Sequence, residues 1–370
     1  MTLTDRMLKL VSDPSALNKF IRREEDGQIY SDFSETDSDV LKSGDIHKLR
    51  EMLYHEAFQA TDNADSRSRL ASDFTVSTSG DTPHIPITPN TYPTTLSYTG
   101  SGRDPESLWS IEGLTIVGTG IRAGLQTTPE SLVCIKNASR VLFLVADVLS
   151  QRWIKSLNPN SESLQGFYRT ETYRLDIYKD IVNKILEELK EHRNLCVVFY
   201  GHPGCFVYPA YEAIRLARNE GFRARMFPGV SAADNLYADL GIDPGLNGIQ
   251  SYEATNFVLC RYSFDTSVGL ILWQIGLFGY AYWDPEYKSS SDRLTTFVEY
   301  MANYYDLDHE VVLYEASEIP LGNARVTRLP LSALPDNPLP GVATLYVPPG
   351  KRPVADLDLA RRLGIPFEGE

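Results

Sequence analysis

Apolar residues recur at helical spacing from the start of the chain: Leu3, Met7, Leu8, Leu10 and Val11 fall on one face. Asp13 and Pro14 open a second helical pattern, as cap and first-turn proline, and Leu17 and Phe20 continue its apolar stripe. Ser34 with Asp37 three positions on predicts a third helix bearing Val40 and Leu41. Asp45 caps a fourth, with Ile46, Leu49, Met52 and Leu53. Short helices of this kind make a marginal core alone, so residues 1–55 form a small helical domain that must pack on something else.

From about Tyr54 to Leu108 the periodicity ends. Ser, Thr, Asp, Gly and Pro dominate, and prolines at 83, 86, 89 and 93 exclude a helix or a central strand. Residues 56–110 read as an extended linker, interrupted by a short β-prone island at Phe74, Thr75, Val76, Ser77 and Thr78.

Beyond it, residues 111–350 alternate strands and helices. Strands are predicted at Leu114–Val117, Val141–Ala146, Cys196–Tyr200, Gln250–Ala254, Thr255–Leu259, Val311–Tyr314 and Thr344–Val347. Amphipathic helices are predicted at Tyr178–Glu191 and Tyr208–Glu220. The alternation predicts an α/β fold with a largely parallel sheet covered by helices, followed by a tail over residues 351–370.

Composition narrows the function classes. The 370 residues, 42% hydrophobic and 23% charged, suit a soluble globular protein with room for two or three folding units. No apolar run is long enough to span a bilayer and no signal-peptide core follows Met1, so a cytoplasmic protein with no membrane partner is expected. The net charge of −14 argues against a nucleic-acid partner. Cys134, Cys196, Cys205 and Cys260 show no CxxC spacing and are expected to be mostly buried thiols, and six scattered histidines suggest no metal site.

Chemistry concentrates at the strand ends. Gly118-Thr119-Gly120 is half of a dinucleotide fingerprint, with Gly124 near but not at the place of the third glycine; alone it reads as a tight turn. The run from Cys196 ends in Tyr200-Gly-His202-Pro-Gly-Cys205, a helix follows, and a second short strand leads into Pro228-Gly-Val-Ser-Ala232. Glycines at the carboxyl ends of buried strands let a ligand approach the backbone.

These YGHPG and PGVSA signatures resemble the class III, tetrapyrrole-methylase-like S-adenosylmethionine methyltransferases, and within them the borosin-type peptide backbone N-methyltransferases. The resemblance implies two α/β subdomains with a cofactor cleft. It implies S-adenosyl-L-methionine as cofactor, with Tyr200, His202 and Cys205 around it largely through main-chain contacts and Ala232, Gln274, Ala316, Ala343 and Thr344 at the remaining cofactor positions. Cys205 departs from the aliphatic residue common there.

The same resemblance places the reaction centre in GFYRTETYRLDIY, with Arg174 and Tyr178 catalytic and Tyr168 assisting. Four residues apart, Arg174 and Tyr178 share a helix face. An amide nitrogen is a poor nucleophile because its lone pair is delocalised into the carbonyl, so methylating it requires removing its proton and stabilising the resulting oxyanion. A tyrosinate beside a guanidinium suits that task. Gln165 stands where the family has another Tyr.

The N-terminal unit, with DPSALNKF and SGDIHKL, resembles the borosin-binding domain that presents a precursor peptide to the enzyme. In the fungal fusion enzymes that domain follows the methyltransferase. Here it comes first and the chain stops soon after the methylase fold, so the methylated core is expected between the two. Proline nitrogens carry no proton to replace, which leaves Phe74, Thr75, Val76, Ser77, Thr78 and Ser79 as the best candidate core and Leu96–Gly100 as a rival. A homodimer passing the core to the partner's site is expected. Two other readings compete: a class III methylase of a tetrapyrrole or other small molecule, and a precursor-binding scaffold with an inactive methylase fold.

Overall fold

The computed structural model describes residues 2–12, 34–43, 45–59, 112–145, 147–284, 289–319 and 322–365. They form two compact units: the first within Met1–Leu240, Tyr280–Tyr287 and Ala316–Arg325, the second within Gly241–Gly279, Lys288–Glu315 and Val326–Glu370.

The first unit holds a wholly parallel sheet. Its strands are β1 (Gly113–Gly118), β2 (Arg140–Leu144), β3 (Ser161–Ser163), β4 (Asn194–Phe199) and β5 (Ala224–Met226), in the order β3-β2-β4-β1-β5. Successive side chains point to opposite faces, so β1, β2 and β4 each feed two cores. Leu114, Ile116, Leu142, Leu195, Val197 and Phe199 meet one pair of helices; Val117, Val141, Phe143, Cys196 and Val198 join the other core.

In chain order the described helices of this unit are α1 (Leu3–Ser12), α2 (Glu35–Ser43), α3 (Ile46–Gln59), α4 (Pro129–Asn137), α5 (Val148–Leu157), α6 (Arg174–Glu191), α7 (Tyr208–Asn219) and α8 (Ala232–Leu240). On α6, Ile177, Ile181, Val182, Ile185, Leu186 and Leu189 recur at three- and four-residue steps and are all buried. They meet the small face of α7, Ala210, Ala213, Ile214 and Ala217.

The N-terminal helices start where their polar residues place them. Ser34 and Asp37 exchange reciprocal backbone bonds at the start of α2, and Asp45 accepts from Lys48 N–H at the start of α3. Thr2 and Asp5 make the same reciprocal pair at the start of α1, and the Glu56 carboxylate, from far along the chain, accepts from the N–H groups of Leu3 (2.6 Å) and Thr4 (2.9 Å). Leu3, Met7, Leu41, Leu49 and Leu53 pack with Leu149 of α5 and with Ile319. The helix expected after Asp13 lies outside the described residues.

The second unit corrects two expectations. Its sheet, β6 (Ile249–Glu253), β7 (Gly269–Trp273), β8 (Glu310–Glu315), β9 (Arg325–Pro330) and β10 (Thr344–Val347), runs in the order β6-β7-β10-β8-β9. Only β6 and β7 are shown parallel, while β10 is antiparallel to both β7 and β8. Between β8 and β10 the described chain carries a strand and a 3-10 turn, with no helical crossover of the kind a parallel connection needs.

The strand expected at Thr255–Leu259 is instead helix α9 (Ala254–Cys260): the Glu253 carboxylate caps it by accepting from Asn256 N–H at 2.7 Å, and left-handed Arg261 ends it. Helix α10 (Ser291–Met301) buries Leu294, Phe297, Val298 and Met301 against this sheet's core. Helix α11 (Leu357–Leu363) buries no residue. No described helix is long and apolar enough to cross a membrane.

One buried charge ties α6 to the sheet. The Glu188 side chain, 9% exposed, contacts Arg140 Nε at 2.9 Å, Lys184 Nζ at 2.6 Å and His192 Nε2 at 3.3 Å. Burial works to raise its pKa, but hydrogen bonds and charge from Arg140 and Lys184 more than reverse this and hold it at about 2. The carboxylate is covered yet shallow in the fold, so solvent partly screens these pairs.

Because the folded value lies below the ordinary 4.5, the stabilisation is present above pH 4.5 and is lost as pH falls toward 2. Glu188→Gln should cost about 2 kcal/mol at neutral pH and flatten the acid limb of stability in urea titrations. An acid limb as steep as that of the unaltered chain would contradict this.

Candidate functional site

Three turns meet at the carboxyl ends of β1, β4 and β5. Gly120 and Gly201 exchange backbone hydrogen bonds at 3.2 and 2.9 Å, which joins the turn after β1 to the turn after β4. A Cβ on Gly118 would meet the Gly201 carbonyl and Pro203, and one on Gly229 would meet the same carbonyl and the Gly118 backbone. Only glycine permits this convergence of main chains.

Side chains then fix the turns. His202 Nδ1 accepts from Gly204 N–H at 2.8 Å, so the imidazole caps its own turn, and Tyr211 Oη donates to Gly204 O at 3.0 Å. Ser231 and Asp234 bond reciprocally at the start of α8 and so place Ala232. Gln126 Oε1 accepts from Ile121 and Arg122 N–H, while its Nε2 donates to Asn235 Oδ1 at 2.7 Å. Sequence reasoning missed Gln126 and Asn235, which lie 109 positions apart.

Tyr200 follows β4 directly, and Cys205 and Phe206 are exposed in the turn beyond it. Of the four cysteines, Cys134 and Cys196 are buried; Cys205, in the turn between β4 and α7, and Cys260, the last residue of α9, are exposed. Ala316 follows β8, and Ser317 Oγ donates to Ile319 O at 2.9 Å to shape that segment.

The second unit holds the other three residues singled out as cofactor contacts. Gln274 follows β7 in the left-handed conformation (φ 58°), Ile275 N–H donates to Ala343 O at 3.1 Å, and Thr344 opens β10, buried. Gln274 and the Ala343-Thr344 pair are thus neighbours within one unit.

The structure brings Arg174, Tyr178 and Tyr168 together. Arg174 is the first residue of α6 and Tyr178 lies one turn on, with Arg174 Nη2 donating to Tyr178 Oη at 3.2 Å. Tyr168 ends a 3-10 turn, Gln165–Phe167, that precedes α6. Burial pushes the Tyr168 phenol well above the usual tyrosine range, Tyr178 adds to the push and the Arg174 guanidinium opposes it. Tyr200 is pushed upward too, by desolvation, then by Glu318 and Tyr178, again against Arg174. It keeps 46% of its surface open to solvent, so water moderates that push.

Aromatic neighbours complete the group: Tyr208 stacks on Tyr178 with centroids 6.3 Å apart, and Trp283 meets Tyr168 edge-on at 4.8 Å. Neither was singled out from sequence. The residues Phe74 to Ser79 and Leu96 to Gly100 lie outside the described residues.

Comparison with known proteins gives this arrangement its family. Residues 113–256 match the tetrapyrrole (corrin/porphyrin) methylases, so the chain carries a methylase fold of that class. The chain is 37% identical over 255 residues to a methyltransferase/ribosomally synthesized cyclic peptide gymnopeptides precursor of Gymnopus fusipes, covering 68% of this chain and 60% of that one.

It is 35% identical over 255 residues to the omphalotin A precursor methyltransferase of Omphalotus olearius, covering 68% and 61%. It is 37% identical over 257 residues to a type I borosin cyclic peptide precursor methyltransferase of Coprinopsis marcescibilis, covering 67% and 64%. The chain belongs to this borosin-type family of methyltransferase/peptide precursors, and it spans less than two thirds of the length of the relatives it matches. Among solved structures, cobalt precorrin-4 methyltransferase aligns at TM-score 0.46 and 17% identity, covering 67% of this chain and 98% of that one.

The glycine convergence sets a testable constraint. Gly118→Ala places a methyl against main-chain atoms and is expected to cost about 1–3 kcal/mol, whereas Gly166→Ala, with no neighbouring atom within 4 Å, should be near neutral. Thermal melts of both variants check this; equal melting temperatures would contradict it.

Proposed function

We infer that the chain is an S-adenosyl-L-methionine-dependent methyltransferase that methylates backbone amide nitrogens of its own core peptide. The observation that carries this reading is the Arg174–Tyr178 hydrogen bond at the start of α6, with the Tyr168 phenol in the same field. Membership of a family whose relatives are described as methyltransferase/cyclic peptide precursors supports the substrate class.

The cofactor supplies an electrophilic methyl group on a sulfonium sulfur. Tyr200, His202, Cys205, Ala232, Gln274, Ala316, Ala343 and Thr344 are the residues proposed to hold it. Half-exposed Tyr200 and exposed Cys205 and Phe206 suit an adenosyl ligand, which needs an apolar wall and main-chain polar groups more than charge.

Tyr178, as tyrosinate, takes the proton of the substrate amide through Oη. Arg174 orients that oxygen and meets the negative charge that gathers on the substrate's carbonyl oxygen. Tyr168, which burial keeps protonated, donates a second hydrogen bond to the same charge. Gln165 replaces one phenol of the family pattern and so alters selectivity or rate.

In this reading residues 1–55 are the leader-like binding domain, 56–110 carry the core and 111–350 are the methyltransferase. Phe74 to Ser79 are the first choice of core, free of proline and β-prone. The active assembly is a cytoplasmic homodimer in which one protomer's core reaches its partner's site.

Fragment mass spectrometry of the purified chain after incubation with S-adenosylmethionine should place methyl groups on backbone nitrogens of the Phe74 island, or near Leu96. Tyr178→Phe should fold and bind S-adenosylhomocysteine normally while its methylation rate falls on the order of a hundredfold or more. A region 56–110 free of methyl in the unaltered chain, or normal methylation by Tyr178→Phe, would overturn the reading.

A further inference from the structure

Helix α6 begins without help from its own cap: Tyr173 makes no side-chain hydrogen bond there. The first N–H groups of a helix need outside partners. For Arg174 the partner is the Ala281 carbonyl, at 3.1 Å. Two further main-chain bonds extend the contact: Trp283 N–H donates to Thr172 O at 2.8 Å, and Glu171 N–H donates to Trp283 O at 2.9 Å. Tyr173 and Tyr282 pair as an antiparallel bridge with their rings 5.8 Å apart. Residues 281–283 thus lie as a short antiparallel strand along residues 171–174.

The same segment reaches the other side of the site. Between Tyr168 and α6 the chain makes a turn closed by Thr172 N–H to Arg169 O, with Glu171 in the left-handed region (φ 58°). A non-glycine residue holds that conformation only where its surroundings demand it. Trp283 supplies such a demand, bonding the Glu171 main chain while its ring meets Tyr168 at 4.8 Å and 68°. An edge-on pair fixes a ring's orientation as well as its place. One three-residue segment therefore touches both the backbone that launches Arg174 and the ring of Tyr168.

We propose that Ala281–Trp283 is a positioning segment for the reaction centre, Trp283 acting through Tyr168 and the Glu171 turn, and Ala281 through the first turn of α6. The proposal rests on the reading of the site given above for the rate it affects, and on geometry alone for the backbone it holds. Small displacements of reacting groups carry large rate costs, so loosening the segment should slow the reaction while leaving the distant core intact.

The test compares Trp283→Ala with Trp283→Phe, which keeps an aromatic edge. In hydrogen-exchange mass spectrometry, Trp283→Ala should speed exchange of the Glu171 and Arg174 amides on the order of tenfold, with α7 unchanged. Its single-turnover methylation should fall roughly tenfold to a hundredfold at unchanged affinity for S-adenosylhomocysteine, and Trp283→Phe should recover most of the rate. Trp283→Leu, which keeps bulk, replaces the alanine variant if that one does not fold, with the same expectations.

Wild-type exchange and wild-type rate in the folded alanine or leucine variant would overturn the proposal. So would equal loss in the phenylalanine and smaller variants together with weakened S-adenosylhomocysteine binding. If the unaltered chain takes up no methyl, the functional reading fails by itself, and exchange at Glu171 and Arg174 still decides whether the segment holds the site.

Discussion

The close approach of Gly118, Gly201 and Gly229 is the constraint on which the first unit's carboxyl edge depends. Three main chains converge where a single Cβ would strike a carbonyl, and the turns after β1 and β4 are locked together by the paired bonds of Gly120 and Gly201. The side chains that follow, Tyr200, His202, Cys205 and Ala232, inherit their positions from that backbone geometry. His202 illustrates the point: its ring caps Gly204 and so serves the turn before it serves any ligand.

Helix α6 carries the second half of the account, and its two ends do different work. Toward its carboxyl end Glu188 gathers Arg140, Lys184 and His192 and anchors the helix to β2. At its amino end, Arg174 and Tyr178 make the hydrogen bond read as the proton-handling centre. Between them Ile177, Ile181 and Ile185 are fully buried, and a helix seated by that much apolar surface gives its first turn a fixed base from which to present charge.

Much of this was legible in the sequence, for identifiable reasons. β10 matches its expected Thr344–Val347 span, and β1, β4 and β8 differ by a residue or so at their ends, because buried strands of a sheet are unbroken apolar runs bounded by turns. Arg174 and Tyr178 were picked out by the family resemblance, and their four-residue spacing added that on one helix they share a face, which their hydrogen bond bears out. What failed was decided by partners distant in the chain. Thr255 and Val258 suggested a strand, but Glu253 caps a helix there and Phe257 fills the core of the second unit. β7 is as apolar as β4 and was passed over, since a short buried run cannot be told from a helix segment by periodicity. Trp283, Tyr208 and Gln126 carried no local signal, for their roles exist only once residues about 30 to 115 positions away are folded beside them.

The central claim is that Arg174 and Tyr178 act as one unit on the substrate amide. A double-variant cycle tests it most directly, with single-turnover methylation measured by mass spectrometry in Arg174→Met, Tyr178→Phe and the combined protein, all shown to be folded. Groups that work on one proton and one developing charge lose their effect together. The account predicts that the combined protein is no slower than the slower of the two single variants. Rate losses that multiply would contradict it, because Arg174 and Tyr178 would then contribute independently.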